Sequence, residues 1–277
     1  MQRAKTILIT GCSSGIGAHC ARRLAGDGWR VFATARKDAD LAALEADGIE
    51  AFRLDYRDGD SIAELVRDVL ALTDGRLDAL FNNGAHGQAG AAEDLSPEAL
   101  RDQLEVALVG WHDLTRRVVP AMRAQGGGRI VHCSSILGLL PYPWRGAYCA
   151  AKHGLEGLAL SMRMELAGSG IGVSLIEPGP IASRFTERGL ETFRRTVDAE
   201  RSFHAKAYAR QIERLTGDDA HASGEERPEA VYAVLARCLA ARRPKAHYRV
   251  TRPARLGAAM KRLLPAEALY AILARQE

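Results

Sequence analysis

Little in this chain marks it as a metal, disulfide, membrane or nucleic-acid protein. Its five cysteines, Cys12, Cys20, Cys133, Cys149 and Cys238, are scattered, with neither paired metal-ligand spacing nor a disulfide framework. Reduced thiols in a cytoplasmic protein are the expectation, and no metal is required. Charge is nearly balanced: 38 basic against 34 acidic residues leave a formal +4, too mild to argue for a nucleic-acid partner. Part of that excess lies in the tail, in Arg242, Arg243, Lys245, Arg249, Arg252, Arg255, Lys261 and Arg262. Long hydrophobic runs are missing, and MQRAKTILITG enters a short one directly, so neither a signal peptide nor a membrane span is expected. Repeats and low-complexity linkers are absent too. What remains is 277 residues, enough for one large domain with a substantial core.

Short apolar runs alternate with helical patterns. TILIT (6–10), RVFATA (30–35), EAFRLD (50–55), LDALFNN (77–83), RIVHCSS (129–135), GVSLIEPG (172–179) and HYRVT (247–251) read as strands. The longer ones carry apolar residues on both faces, as strands do when helices cover both sides of a parallel sheet. The expected class is therefore α/β, a Rossmann-type doubly wound parallel sheet with helices on both faces. Ser61 and Glu64 suggest a capping box ahead of an amphipathic helix through Ile62, Leu65, Val66, Val69 and Leu70. Pro228 opens another helix, with Val231, Val234, Leu235, Cys238 and Leu239 on one side. The organisation expected is a core over 1–183, a helical lid over 184–227, and a C-terminal part over 228–277. That last part holds a helix, the final strand and an amphipathic tail split at Pro265.

The sharpest motif is TGCSSGIG, Thr10 to Gly17, between the first strand and the first helix. Gly11 suits the tight turn, Gly15 lets a pyrophosphate approach the backbone, and Gly17 lets helix pack closely on strand. Free amides and the helix dipole at that N-terminus favour an anion, so the motif reads as a dinucleotide cradle. Three residues rather than one separate the first two glycines, a spacing that resembles the short-chain dehydrogenase/reductase family. The resemblance extends through most of the chain. FNNGAHG (81–87) is similar to the family's Asn-Asn-Ala-Gly segment, with Gly84 and Ala85 in swapped order. It implies that Gly11, Cys12, Ser13, Ser14, Gly15, Ile16 and Gly17 surround the pyrophosphate and that Asn82 contributes nearby. It also places Asp55 at the adenine. PGPIAS (178–183) resembles the segment that contacts the nicotinamide carboxamide, through Ile181 and Ser183, with serine where threonine is usual.

An NAD-binding unit usually ends its second strand in an acidic residue that holds the ribose hydroxyls. Here Ala35 occupies that place and Arg36 and Lys37 follow. A carboxylate would repel an extra phosphate, whereas a guanidinium grips one with paired hydrogen bonds. NADP(H) is expected ahead of NAD(H). The family's catalytic tyrosine and lysine lie four apart on a helix behind a serine, which Tyr148, Lys152 and Ser135 match. The resemblance implies hydride transfer at an alcohol or carbonyl carbon. Tyr148 moves the proton, Ser135 orients the oxygen, and Lys152, together with the positive nicotinamide of the oxidised cofactor, lowers the Tyr148 pKa and also binds the nicotinamide ribose.

One departure stands out. Relatives commonly have Asn-x-x-Gly where this chain has Ala107 to Gly110, and that asparagine helps hold a water linking the lysine to solvent. Either other groups keep the relay working, or the protein binds cofactor with weak or lost catalysis in a regulatory role. Phe185, Phe193, Phe203 and Tyr208 in the lid, with Leu139, Leu140, Tyr142 and Trp144 before Tyr148, suggest an apolar pocket for a bulky ketone, aldehyde or secondary alcohol. His86 and His153 read as surface or supporting groups. The C-terminal extension resembles the steroid- and retinol-dehydrogenase-like branch. Its apolar residues, including Leu256, Met260, Leu269 and Leu273, fit docking on their own domain, a second subunit or a membrane surface. The family commonly dimerises through the helices carrying Ala107 and Tyr148, which implies a homodimer or homotetramer.

Overall fold

A computed structural model describes residues 3–216 and 226–275. Seven strands form one parallel sheet: β1 (Thr6–Ile9), β2 (Arg30–Ala35), β3 (Glu50–Arg53), β4 (Ala79–Asn82), β5 (Gly128–Cys133), β6 (Ile171–Glu177) and β7 (His247–Arg249). Their order is β3-β2-β1-β4-β5-β6-β7, so the chain winds outward from β1 in one direction and from β4 in the other. The helices are α1 (Gly15–Gly26), α2 (Asp38–Ala46), α3 (Gly59–Ala71), α4 (Pro97–Leu104), α5 (Gly110–Ala124) and α6 (Gly146–Glu165). They continue with α7 (Phe185–Thr196), α8 (Ala205–Thr216), α9 (Pro228–Ala240), α10 (Arg252–Leu263) and α11 (Ala266–Leu273). On the sheet's faces α1 packs beside α9, and α3 beside α5. Phe32, Phe81, Ile7, Leu80, Trp111 and Leu114 are fully buried in the resulting core.

This is the expected doubly wound sheet, with the helical excursions and the Pro265 break in place. The tail of α10 and α11 lies on its own domain. Leu269 and Leu273 join Leu140 in a small core, against Ile136, Leu139, Met260 and Leu264. Lys261 Nζ also donates to the Leu139 carbonyl at 2.6 Å. Of the lid expected over 184–227, residues 217–225 lie outside the described residues. No helix among the described residues is long and apolar enough to cross a membrane.

Two local expectations need correction. The cap of α3 is Asp58, whose Oδ1 accepts from the amides of Asp60 and Ser61 at 2.9 and 3.3 Å. A carboxylate is as good a cap as a hydroxyl, and Ser61, released from that role, accepts from the Asp55 amide. The second concerns the helix carrying Ala107, whose asparagine counterpart interrupts it in relatives. A π-helical turn at Glu105–Val109 separates α4 from α5 although residue 107 is alanine. The interruption therefore belongs to the packing. Gly110 follows it, and a Cβ there would lie 2.6 Å from both Cβ and the carbonyl oxygen of Tyr56. In an ordinary helix alanine is preferred over glycine by about 1 kcal/mol, but here the added methyl strikes backbone. Gly110→Ala is expected to destabilise by about 1–3 kcal/mol, read as a lower midpoint in thermal or urea unfolding.

Candidate active site

The site lies where strand order reverses, at the carboxyl ends of β1 and β4, the usual ligand crevice of such sheets. Gly11 has φ +68°, and a Cβ on it would stand 2.3 Å from Gly84 Cα. The loops after β1 and β4 touch only because both residues lack side chains. Asn83 locks this junction, donating from Nδ2 to the Thr10 carbonyl at 3.1 Å, while Thr10 Oγ1 accepts from the Asn83 and Gly84 amides. Gly17 packs on the Gly11 carbonyl, with 2.4 Å left for a Cβ. Ser14 begins α1 without a side-chain cap, and the first turn holds no acidic residue. The amides there are left free for an anion.

A cavity of about 600 Å³ runs from this cradle across the ends of the strands. Gly11, Ser13, Ser14, Gly15, Ile16, Arg36 and Asp55 line one end. Ser135, Tyr148, Lys152, Ile181 and Ser183 line the middle. Three residues expected at the cofactor stand behind the wall instead. Cys12 is buried with Sγ on the Ile9 carbonyl, and Gly17 serves the helix packing. Asn82 is turned into the core, where it accepts from Tyr56 Oη and donates to Thr115 Oγ1 at 2.9 Å. Strand alternation sends Asn82 inward and leaves Asn83 to face the cavity.

Tyr148 and Lys152 share one face of α6. Lys152 Nζ donates to the Cys133 carbonyl at 2.8 Å and sits 4.1 Å above the centre of the Trp111 ring. Burial pushes its pKa down to about 8, opposed by Cys133 and Glu156. Burial also holds the Tyr148 phenol above its ordinary value; Cys133 adds to this, while the Ser135 hydroxyl and Arg145 pull the other way. The expected depression of the tyrosine by Lys152 is thus not a property of the protein groups alone. Desolvation outweighs the cations, and Tyr148 stays a phenol able to donate.

The apolar end differs from expectation in its details. Phe185 lies edge-on to Tyr148 at 5.5 Å between ring centres. Phe193 and Tyr208 instead form a separate core that secures the lid to Ala91, with Trp144 packed against it. Phe203 is exposed. The tail supplies what those aromatics do not: Leu256, Met260 and Leu273 form part of the wall. His86 lines the cavity rather than the surface, 3.4 Å from Asp102, and burial brings its pKa down to about 4. His153 is exposed, as expected. Arg188, from the lid helix α7, is an unforeseen member. It donates to Ser13 Oγ at 3.0 Å, and the nearby charges of Arg184 and Arg36 add to the burial that lowers its pKa.

Residues 5–192 match the model of the short chain dehydrogenase family. The chain belongs to that family. Over 269 residues it is 37% identical to the uncharacterized oxidoreductase YbbO of Escherichia coli, covering 97% of this chain and 94% of that protein. It is 34% identical to human 17-beta-hydroxysteroid dehydrogenase type 1, over 88% of this chain and 77% of that one. Among solved structures, actinorhodin polyketide ketoreductase with NADPH aligns at TM-score 0.73 and 29% identity, over 89% and 95% of the two chains. A Burkholderia phymatum member in complex with NAD aligns at 0.76 and 27%, over 94% and 92%. This short-chain dehydrogenase is accordingly an oxidoreductase of alcohol and carbonyl groups with a Rossmann-like parallel sheet.

Proposed function

We propose that this oxidoreductase uses NADP(H) to interconvert a bulky, largely apolar ketone or aldehyde with its alcohol. The observation that carries the reading is the single cavity joining the glycine cradle and Arg36 to Tyr148, Lys152 and the apolar tail wall. The cradle fits a dinucleotide, since Gly15, with φ +58°, lines the cavity with backbone alone at the free amides that begin α1, while Gly11 and Gly17 allow the close packing that shapes it. The bound cofactor supplies the hydride and, once oxidised, a positive ring. In the reducing direction Tyr148 gives its phenolic proton to the developing alkoxide while the Ser135 hydroxyl holds that oxygen. Lys152 binds the ribose and offers its charge to the tyrosinate. Arg36 and Arg188 form the cationic corner for the extra phosphate, next to Ser13, and β2 ends in Ala35 rather than in a carboxylate.

The solved relatives carry NADPH in one case and NAD in another, so the preference rests on Arg36 and Ala35. The steroid dehydrogenase relationship, together with Leu256, Met260 and Leu273 in the wall, supports the bulky apolar substrate. The α5–α6 surface, where Val109 and Met164 are exposed, is the face we assign to self-association into a homo-oligomer. The protein is active on its own chemistry in this reading, rather than a cofactor-binding regulator. A panel of ketones, aldehydes and secondary alcohols with NADPH and NADH tests it. Turnover with NADPH at least tenfold more efficient than with NADH is expected; no turnover of any member despite cofactor binding would replace it with the regulatory reading.

A further inference from the structure

Behind Lys152, away from the cavity, lies a buried ionisable group that the proposed chemistry leaves unused. Glu156 follows Lys152 by one turn of α6, so Tyr148, Lys152 and Glu156 occupy one helix face at i, i+4 and i+8. Glu156 is 6% exposed, and neither of its oxygens has a hydrogen-bond partner. Such a group is costly to bury without a purpose.

Four elements face it. From α6 comes Lys152. From the end of β5 comes Ser134, close enough to lower the Glu156 pKa, with its buried Oγ also lacking a well-aligned partner. From β6 comes Glu177, and from β7 His247 and Arg249. His247 Nδ1 is 3.7 Å from Glu156 Oε2, and its side chain is 32% exposed against 7% for Glu156. His247 also bonds Glu177, whose other oxygen accepts from Arg249 Nε. Glu177 is therefore paired, and only Glu156 has both oxygens free. The three ligand-type side chains lie within 4.8 Å of one another, but the paired Glu177 leaves a cation too few oxygens.

The other side of Lys152 is packed mainly by apolar and aromatic groups. There the Trp111 ring lies under the ammonium, and Val106, Ala107 and Ala151 form a buried apolar cluster. His132 stacks behind Trp111, where burial and then the Lys152 charge bring its pKa down to about 3.

We propose that Glu156 carries protons between Lys152 and His247, giving Tyr148 a path to solvent along the rear of α6. In the reducing direction the Tyr148 O–H bond breaks as the substrate O–H forms. The Lys152 ammonium then returns a proton to the tyrosinate, the Glu156 carboxylic acid reprotonates the Lys152 amine, and the His247 imidazolium reprotonates Glu156. Solvent recharges His247. Oxidation runs the same transfers in reverse. Residues four apart on a helix have Cβ atoms about 5–6 Å apart, so one bridging water or a rotamer change of Lys152 connects the two head groups. Burial sets the Glu156 pKa up to about 7, with Ser134, His247 and Lys152 lowering it and Glu177 raising it. Lys152 stands at about 8, so the two groups are closely matched for exchange.

This inference rests on the oxidoreductase reading above, and the experiment separates the two. The holoenzyme, Glu156→Gln, Glu156→Asp and His247→Gln are assayed with NADPH and the best carbonyl of the panel, and with NADP⁺ and its alcohol, across pH 5–9. For wild type the reducing kcat is expected to fall, and the oxidising kcat to rise, as pH passes about 7, the Glu156 value. Glu156→Gln is expected to lower kcat about tenfold, leave KM for cofactor and carbonyl unchanged, and remove that limb. Glu156→Asp retains the limb, and the solvent deuterium effect on kcat grows in the glutamine variant. An unchanged kcat and pH profile in Glu156→Gln overturns the relay while leaving the enzyme reading intact. If Glu156→Gln does not fold, His247→Gln decides in its place, and an unaltered profile there overturns the relay. A wild type with no turnover removes both.

Discussion

Tyr148→Phe is expected to lower kcat by about a thousandfold, the middle of the range for loss of a general acid, with KM for carbonyl substrate changed by less than threefold. The reason lies in what the hydroxyl does and what the ring does. The ring's contact is the edge-on packing with Phe185 at 5.5 Å, which phenylalanine keeps. The hydroxyl's neighbour is Ser135, and that pair points into the cavity rather than into the core. Removing the oxygen therefore leaves the fold unaltered and withdraws the proton assigned to the alkoxide. A thousandfold loss corresponds to about 4 kcal/mol of transition-state stabilisation. NADPH affinity, read by quenching of protein fluorescence, should be unaltered. A residual kcat within tenfold of wild type would mean that another group, such as the cavity-lining His86, delivers the proton. The low pKa of about 4 that burial gives His86 argues against it, because it is neutral throughout the working range.

Much of this site was legible in the chain because its parts are local in sequence. TGCSSGIG encodes a turn and a helix start within eight residues, and RVFATA coincides with β2. Tyr148 and Lys152 are one helical turn apart, so their common face follows from helix geometry. What escaped the reading is nonlocal. Arg188 reaches Ser13 across 175 positions of sequence, and a single arginine in a charged helix carries no signal of that reach. Glu156 looked like any helical glutamate. Only the return of β6 and β7 beside β5 makes it a buried acid without partners. Asn82 turns inward and Asn83 lines the cavity because the end of a strand decides which of two neighbours faces outward, and propensity does not fix that end to a single residue. The lid aromatics went astray for a similar reason. An aromatic side chain gains as much from a satellite core as from a pocket, and Phe193 and Tyr208 took the core.

The second large effect concerns cofactor choice. Arg36→Ala is expected to raise KM for NADPH by about 30- to 100-fold and to leave KM for NADH within threefold. Arg36 lines the same end of the cavity as Gly11 and Asp55, and its side chain has no protein hydrogen bond among the described residues; only its carbonyl is engaged, accepting from Arg53. A guanidinium so placed is available for a phosphate, and a charge-assisted pair contributes about 1.5–3 kcal/mol, about 10- to 150-fold, which brackets the expected rise. Ala35, buried at the end of β2, offers no carboxylate to the ribose hydroxyls, so NADH loses nothing when Arg36 goes. Arg188→Ala separates two roles that share one side chain. Acting on the phosphate, Arg188 raises KM for NADPH alone, and the loss adds to that of Arg36→Ala. Acting only as the tie from α7 to Ser13, it changes both cofactors equally, because the lid then loosens over either one. Steady-state KM values for the two cofactors in wild type, both single variants and the double variant distinguish these outcomes. Equal sensitivity of NADH and NADPH to Arg36→Ala would remove the phosphate assignment and return the cofactor choice to NAD(H).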